Sequence, residues 1–282
     1  MKNFKNKVIA ITGAGSGIGR ELAIQLAAQK ATLSLNDFNP QSLAETVDLL
    51  QLPKEKVSQH VFDVGDQNAI KNYIEDTISI HGQLDGIINN AGTSLGKVKV
   101  IDMEYDEIDF LFKVNLWGVI YGTKEALPYL INRPEAFIAN VSSVFGLIGV
   151  PTQSAYCMTK FAVRGFTESL RMEVAKYPNL KIYQIHPGGI DTNIIKNSKI
   201  RTKQEKSKLG RNFKKSAITS APNAAKTIIK GIQKNKTRIL IGRDARLIDI
   251  LARLFPSLYQ KFVIRSSAAR RADSLKKGEF SD

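Results

Sequence analysis

A run of glycines directly after a short apolar segment is the first place where this 282-residue chain could do chemistry. It reads Thr12-Gly-Ala-Gly-Ser-Gly-Ile-Gly19, a TGxxxGxG pattern with Gly13, Gly17 and Gly19 as its fixed positions. Without Cβ atoms the backbone can turn tightly and approach a pyrophosphate, and the N-terminus of a following helix adds amide donors and a partial positive charge. Asp37 falls 18 residues past Gly19. There a carboxylate can accept hydrogen bonds from both hydroxyls of an adenosine ribose, and it would repel a 2′-phosphate. Neither Ser16 nor Phe38, the neighbouring positions for a phosphate-binding cation, is basic. The pattern therefore favours NAD over NADP.

Further polar motifs follow at Asp63-Val64, Asn89-Asn-Ala-Gly92, Asn115, Asn140-Val-Ser-Ser143, Tyr156 with Lys160, and Pro187-Gly-Gly-Ile-Asp-Thr192. The elements that must position them alternate. Short apolar segments predict strands at Lys7–Thr12, Thr32–Asn36, Val57–Val61, Leu84–Ile88, Phe137–Val141 and Leu180–Ile185, with a seventh at Arg238–Ile241. Between them, helical patterns cover Arg20–Lys30, Gln41–Leu50, Ala69–His81, Tyr105–Tyr129 and Ala155–Tyr177. Apolar strands alternating with helices imply an α/β fold: a doubly wound parallel sheet of about seven strands, helices on both faces, in a single domain. Nearly every polar motif falls just past a strand's C-terminal end, where open α/β sheets bind ligands.

The order and spacing of these motifs resemble the short-chain dehydrogenase/reductase family: TGxxxGxG at Thr12–Gly19, NNAG at Asn89–Gly92, a spacing of 13 from Ser143 to Tyr156, YxxxK at Tyr156–Lys160 and PG at Pro187-Gly188. The resemblance is strong over about residues 5 to 195. It implies that Tyr156 is the general acid/base, exchanging a proton with the substrate oxygen while a nicotinamide carries the hydride. A tyrosine with a pKa of about 10 is a poor base at neutral pH, so it needs positive charge nearby. Lys160, one helical turn away, supplies it and holds the nicotinamide ribose. Ser143 would bind the substrate oxygen, and Asn115 would hold a water linking Lys160 to solvent. Ile18 follows the glycine turn, Asp63 and Val64 would face the adenine, Asn89 and Gly92 line the central cleft, and Pro187, Ile190 and Thr192 lie at the nicotinamide.

Charge divides the chain. Residues 1–192 carry 18 Lys/Arg against 20 Asp/Glu, whereas residues 193–282 carry 23 against 6, so the net +15 belongs to the last third. A nucleic-acid partner is disfavoured, because the larger part of the fold is slightly acidic. Cys157 is the single cysteine, so no internal disulfide exists, and it is expected to pack. His60, His81 and His186 are scattered, which predicts no metal site. Trp117 is expected in the core or at a subunit interface. With no apolar run long enough for a signal peptide or a membrane span, the expected location is the cytoplasm.

The expected division is a catalytic domain over 1–245, including a basic substrate loop at 193–220, and an amphipathic extension over 246–282. In the extension Leu247, Ile250, Leu251, Leu254, Leu258 and Phe262 recur at helical spacing among Arg246, Arg253 and Lys261, with Pro256 bending or dividing the helix. Two roles are open for it, packing on the core or a partner subunit and resting on an anionic membrane at the inner face; a third possibility is that the cationic loop at 193–220 receives a phosphate-bearing acyl carrier. The function expected is NAD(H)-dependent interconversion of a secondary alcohol and a carbonyl, with a lipophilic substrate. The alternatives are an NADPH-dependent ketoreductase of a carrier-linked acyl group and a non-catalytic dinucleotide sensor or nucleic-acid-binding regulator. A homodimer or homotetramer is implied by the family.

Overall fold

Apolar, largely β-branched segments form seven parallel strands in one sheet. In chain order they are β1 (Val8–Thr12), β2 (Thr32–Asp37), β3 (Val57–Val61), β4 (Gly86–Asn89), β5 (Ala136–Val141), β6 (Leu180–Pro187) and, last, β9 (Arg238–Ile241). The computed structural model describes residues 1–191, 219–261 and 263–264. Thr192, Phe262 and most of the basic loop expected at 193–220 lie outside the described residues. Two short strands not anticipated from sequence, β7 (Ile190–Asp191) and β8 (Thr219–Ser220), pair in parallel on either side of that loop.

The strand order is β3-β2-β1-β4-β5-β6-β9. It reverses between β1 and β4, which opens a crevice beyond their carboxyl ends. Side chains alternate across the sheet. Ile9, Ile11, Leu33, Leu35 and Ile185 join one core with α1 (Gly17–Ala27) and α7 (Ala221–Gln233). Ala10, Ile87, Ile138 and Ile182 join the other with α3 (Gln67–His81), α5 (Gly118–Leu130) and α6 (Ser154–Glu173). Strand β3 departs from the all-apolar pattern because it is an edge, half-solvated along Ser58, Gln59 and His60.

Where boundaries differ from expectation, local chemistry explains the shift. Helix α1 begins at Gly17 rather than Arg20, because the glycine turn supplies its first residues. Helix α2 (Pro40–Leu50) is capped by Asn39, whose side chain accepts from the Ser42 amide, and carries proline in its first turn. The long helix expected over Tyr105–Tyr129 is divided: α4 (Tyr105–Phe112) passes through a π-helical turn at Lys113–Trp117 into α5. The extension begins as α8 (Arg243–Leu254), and the chain re-enters a helix at 258–261 beyond Pro256, as expected of a dividing proline.

Strand β4 starts two residues later than predicted because Asp85 serves as a junction. Its fully buried carboxylate accepts from the Val8 amide at 2.9 Å, from Gln83 at 2.8 Å and from Arg133 at 2.9–3.0 Å, tying the entrances of β1 and β4 together. Truncation leaves the Val8 amide and the guanidinium without this partner. We expect Asp85→Ala to lower unfolding free energy in urea by about 3 kcal/mol, and a loss below about 1 kcal/mol would show the junction to be dispensable.

Candidate active site

Three segments meet at the crevice, and the first is the glycine turn. Gly13 and Gly17 adopt left-handed conformations, with φ of 66° and 56°. A Cβ on Gly19 would stand 2.0 Å from the Gly13 carbonyl oxygen, so that oxygen occupies the space of a side chain. Asp37 reaches back to the turn: its Oδ2 accepts from the Gly15 amide at 2.8 Å and its Oδ1 from Asn39 at 3.0 Å. Each oxygen keeps lone pairs for further donors. Arg20, the cation beside this corner, is held by Glu45 at 2.9 Å and by the Gly15 and Ser42 carbonyls. Bare backbone, a helix N-terminus and an acceptor carboxylate together fit a dinucleotide bound through diphosphate and ribose.

The second segment carries the reactive groups. Helix α6 presents Tyr156 and Lys160 one turn apart, with the Lys160 Nζ 5.7 Å from the Tyr156 ring centroid. Ser143, at the end of β5, hydrogen-bonds the Tyr156 phenol. Burial pushes that phenol up to about 12, with the Ser143 bond acting in the opposite direction. Burial also brings the Lys160 ammonium, 3% exposed, down to about 8, while it donates to the Val141 carbonyl at 3.1 Å. The serine one residue earlier, Ser142, is occupied elsewhere: it donates to the Lys160 carbonyl at 2.8 Å. That contact locks α6 against β5.

The loop after β4 completes the crevice. Gly92 lies against both Asn115 and Lys160; a Cβ there would be 3.3 Å from the amide oxygen and 3.4 Å from the ammonium. Asn115 sits in the π-helical turn, fully buried, where its Oδ1 accepts from the Thr93 amide at 2.8 Å and its Nδ2 donates to Thr93 and Thr159. Asn89, expected to line the cleft, turns inward instead. It is 1% exposed and donates to Thr123 and Asn140, beneath the site rather than in it. Next to it, Asn90 does what sequence alone did not suggest: its Nδ2 donates to the Thr12 and Gly13 carbonyls, fastening β4 to the glycine turn.

Asp63 stands half-exposed at the end of β3, paired with Lys113 at 3.5 Å. Val64 buries its side chain against Gly118, so main chain is what it offers. Ile18 is partly buried on the α1 core, Pro187 ends β6 and Ile190 opens β7. Two further residues were not singled out as site residues. His186 Nδ1 donates to the Ser143 carbonyl at 2.9 Å; burial lowers its pKa to about 4, so the ring is neutral and holds the serine's backbone. Asp244, at the start of α8, accepts from the Gly189 amide at 2.7 Å. No spacing rule links either to the motifs, because both act across strands.

A phenol, a hydroxyl and an ammonium converge beside a dinucleotide cradle at the sheet's switch point, which defines the class of a nucleotide-dependent oxidoreductase. Residues 7–203 match the family model described as short chain dehydrogenase, and the chain belongs to that family. It is 40% identical over 266 residues to the oxidoreductase SadH of Mycobacterium tuberculosis, covering 93% of this chain and 96% of that one. It is 34% identical over 197 residues to levodione reductase of Leifsonia aquatica, covering 69% and 73%. A solved short-chain dehydrogenase/reductase from Burkholderia phymatum in complex with NAD superposes with a TM-score of 0.83 at 25% identity, covering 92% of this chain and 97% of that one.

The buried ammonium opposes folding. Its pKa lies at about 8 in the folded protein against 10.5 when solvated, so the penalty is complete below pH 8 and vanishes as pH rises through 10.5. Lys160→Met removes it at the loss of one hydrogen bond. We expect the cofactor-free variant to be about 2 kcal/mol more stable at neutral pH, an advantage that fades in alkaline denaturation series; a less stable variant at pH 7 would contradict the assignment.

Proposed function

We propose that this oxidoreductase interconverts a secondary alcohol and a carbonyl with NAD(H), on an apolar, lipid-like substrate. The observation that carries the reading is the Ser143–Tyr156–Lys160 cluster at the mouth of the dinucleotide crevice. When bound, the nicotinamide gives or takes the hydride. Tyr156 exchanges the proton of the substrate oxygen, and Ser143 donates to that oxygen and orients it. Lys160 holds the nicotinamide ribose and lowers the phenol's pKa through its charge, a field that is strong because water is excluded. Asn115 holds the water that returns a proton from solvent to Lys160.

Gly13, Gly17, Ile18 and Gly19 bind the diphosphate, Asp37 the adenosine ribose, Asp63 and the Val64 main chain the adenine, and Gly92, Pro187, Ile190 and Thr192 the nicotinamide side. Asn89 supports them from below. NAD is preferred because Asp37 faces the ribose while Arg20 is engaged with Glu45. An apolar substrate is supported by the surroundings of Tyr156. One wall is Leu95, Val98, Leu111 and Ala155, and on the other Phe145 sets its ring edge-on to Tyr156 at 6.2 Å. Two copies of the chain pair through the exposed apolar residues of α5 and α6: Tyr129, Met158, Phe161 and Met172, with Trp117 stacked on Tyr121.

The test is reduction of NAD, followed by absorbance, over short, aromatic, steroid and long-chain alcohols. Tyr156→Phe should lower turnover by about 10³-fold or more while NADH still binds in a fluorescence titration; an active variant would overturn the mechanism. Asp37→Ala should weaken NAD by about tenfold or more and spare NADP. A wild-type enzyme that strongly prefers NADPH would overturn the cofactor assignment.

A further inference from the structure

Helix α8 buries a single residue fully, Ala245, and leaves three of its five large apolar residues, Leu247, Ile250 and Leu254, exposed. Ala245 is fully buried and Ile248 packs beside it on Val144 and Leu147. On the opposite side Leu247, Ile250 and Leu254, at i, i+3 and i+7, are 58%, 53% and 66% exposed. Phe255, Leu258 and Ile264 continue the apolar surface beyond the helix end, at 47%, 55% and 58%. Six large apolar side chains left in water along two consecutive segments form a patch that a monomeric soluble protein rarely leaves uncovered.

The charges around the patch are sorted by sign. Arg243, Arg246, Arg253 and Lys261 are exposed beside it. Both acids of α8 turn into the protein: Asp244 accepts from Gly189, and Asp249, 14% exposed, is shared by Arg238 and Arg253. The outer face therefore presents leucine and isoleucine bordered by cations. A second copy meeting this face symmetrically would set arginines against arginines. The charge complement is an anionic surface with an apolar interior.

We propose that α8 and residues 258–261 and 263–264 rest on an anionic lipid bilayer, the apolar side chains entering at headgroup level and the basic ones contacting the headgroups. The proposal rests on the alcohol/carbonyl reading above and gives it a substrate source. The helix that carries the membrane-facing surface packs with its other face on the active-site wall. Ala245 and Ile248 pack on the turn that begins at Ser143, and the Tyr259 hydroxyl lies 3.4 Å from the Gly149 amide in the same loop. Docking through α8 therefore brings the turn that carries Phe145, beside Tyr156, close to the bilayer surface.

The experiment is cosedimentation of the full-length protein with phosphatidylcholine vesicles, with and without phosphatidylglycerol. The wild type should pellet with the anionic vesicles only and be released by high salt. A Leu247→Gln, Ile250→Gln, Leu254→Gln variant, which leaves charge unchanged, should bind about tenfold more weakly or worse. An Arg243→Gln, Arg246→Gln variant should also bind more weakly, and both should keep turnover on a short water-soluble alcohol. A wild type that stays in the supernatant, or binding that neither variant weakens, overturns the proposal. So does concentration-dependent self-association, seen by ultracentrifugation, that the glutamine variant abolishes. Turnover without vesicle binding overturns the surface alone, whereas vesicle binding without turnover on any alcohol overturns the enzymatic reading and supports the surface.

Discussion

An ammonium group buried with a carbonyl and an aromatic ring for company is the constraint that the rest of this site depends on. Desolvation is the sole cause of its lowered pKa, so no nearby carboxylate offsets the burial among the described residues. Such a group stays in place only if its surroundings are rigid. Here the backbone of Lys160 accepts from Ser142, Gly146 leaves no room for a side chain between them, and the ammonium is held by the end of β5. The same dry environment raises the Tyr156 phenol. Cofactor-free, the pair therefore rests as a neutral phenol beside an ammonium that loses its proton readily. Any positive charge entering the crevice acts on both groups in a medium that screens it poorly, favouring the phenolate and the neutral amine.

That constraint explains why the supports around the site are amides and hydroxyls. Asn89, Asn140, Thr123 and Thr167 form a buried network under β4 and β5, Asn115 with Thr93 and Thr159 closes the side, and Asn90 with Thr12 closes the glycine turn. An amide donates and accepts without a formal charge. A carboxylate in any of these positions would pair with Lys160 or raise the phenol further. The acids of the region sit at the periphery: Asp37 against the glycine turn, Asp63 beside Lys113, and Asp244 under the Gly188-Gly189 turn.

What was legible in the sequence follows the same division between local and cross-strand effects. Strand positions, the helix register that stacks Lys160 on Tyr156 and the glycine turn are set by neighbours within a few residues. β3 and β9 fall where the pattern puts them, and the other strands match within two residues. The π-helical turn at Lys113–Trp117 was not legible, because a single wide turn inside a long helix has no residue signature of its own. Nor was the inward turn of Asn89. Two adjacent asparagines at a strand end carry the same chemistry, and only pleat direction, set by pairing with β1 and β5, decides which is buried. His186 and Asp244 were silent for the same reason: each meets its partner across the sheet edge.

The C-terminal segment shows how a fold can link its outer surface to its chemistry without a long pathway. Ala245 and Ile248 sit on Val144 and Leu147, the residues that follow Ser143, while Asp244 grips the backbone after β6 and His186 grips the carbonyl of Ser143 itself. The turn carrying Ser143 is thus clamped between β6 and α8, and the position of α8 enters the geometry of the serine directly. A helix that only covered the core would gain by burying its large residues and exposing its small ones. Here Ala245 and Ile248 face the turn after Ser143, whereas Leu247, Ile250 and Leu254 face outward. The three exposed residues are intelligible if the outer side has an apolar phase of its own to meet.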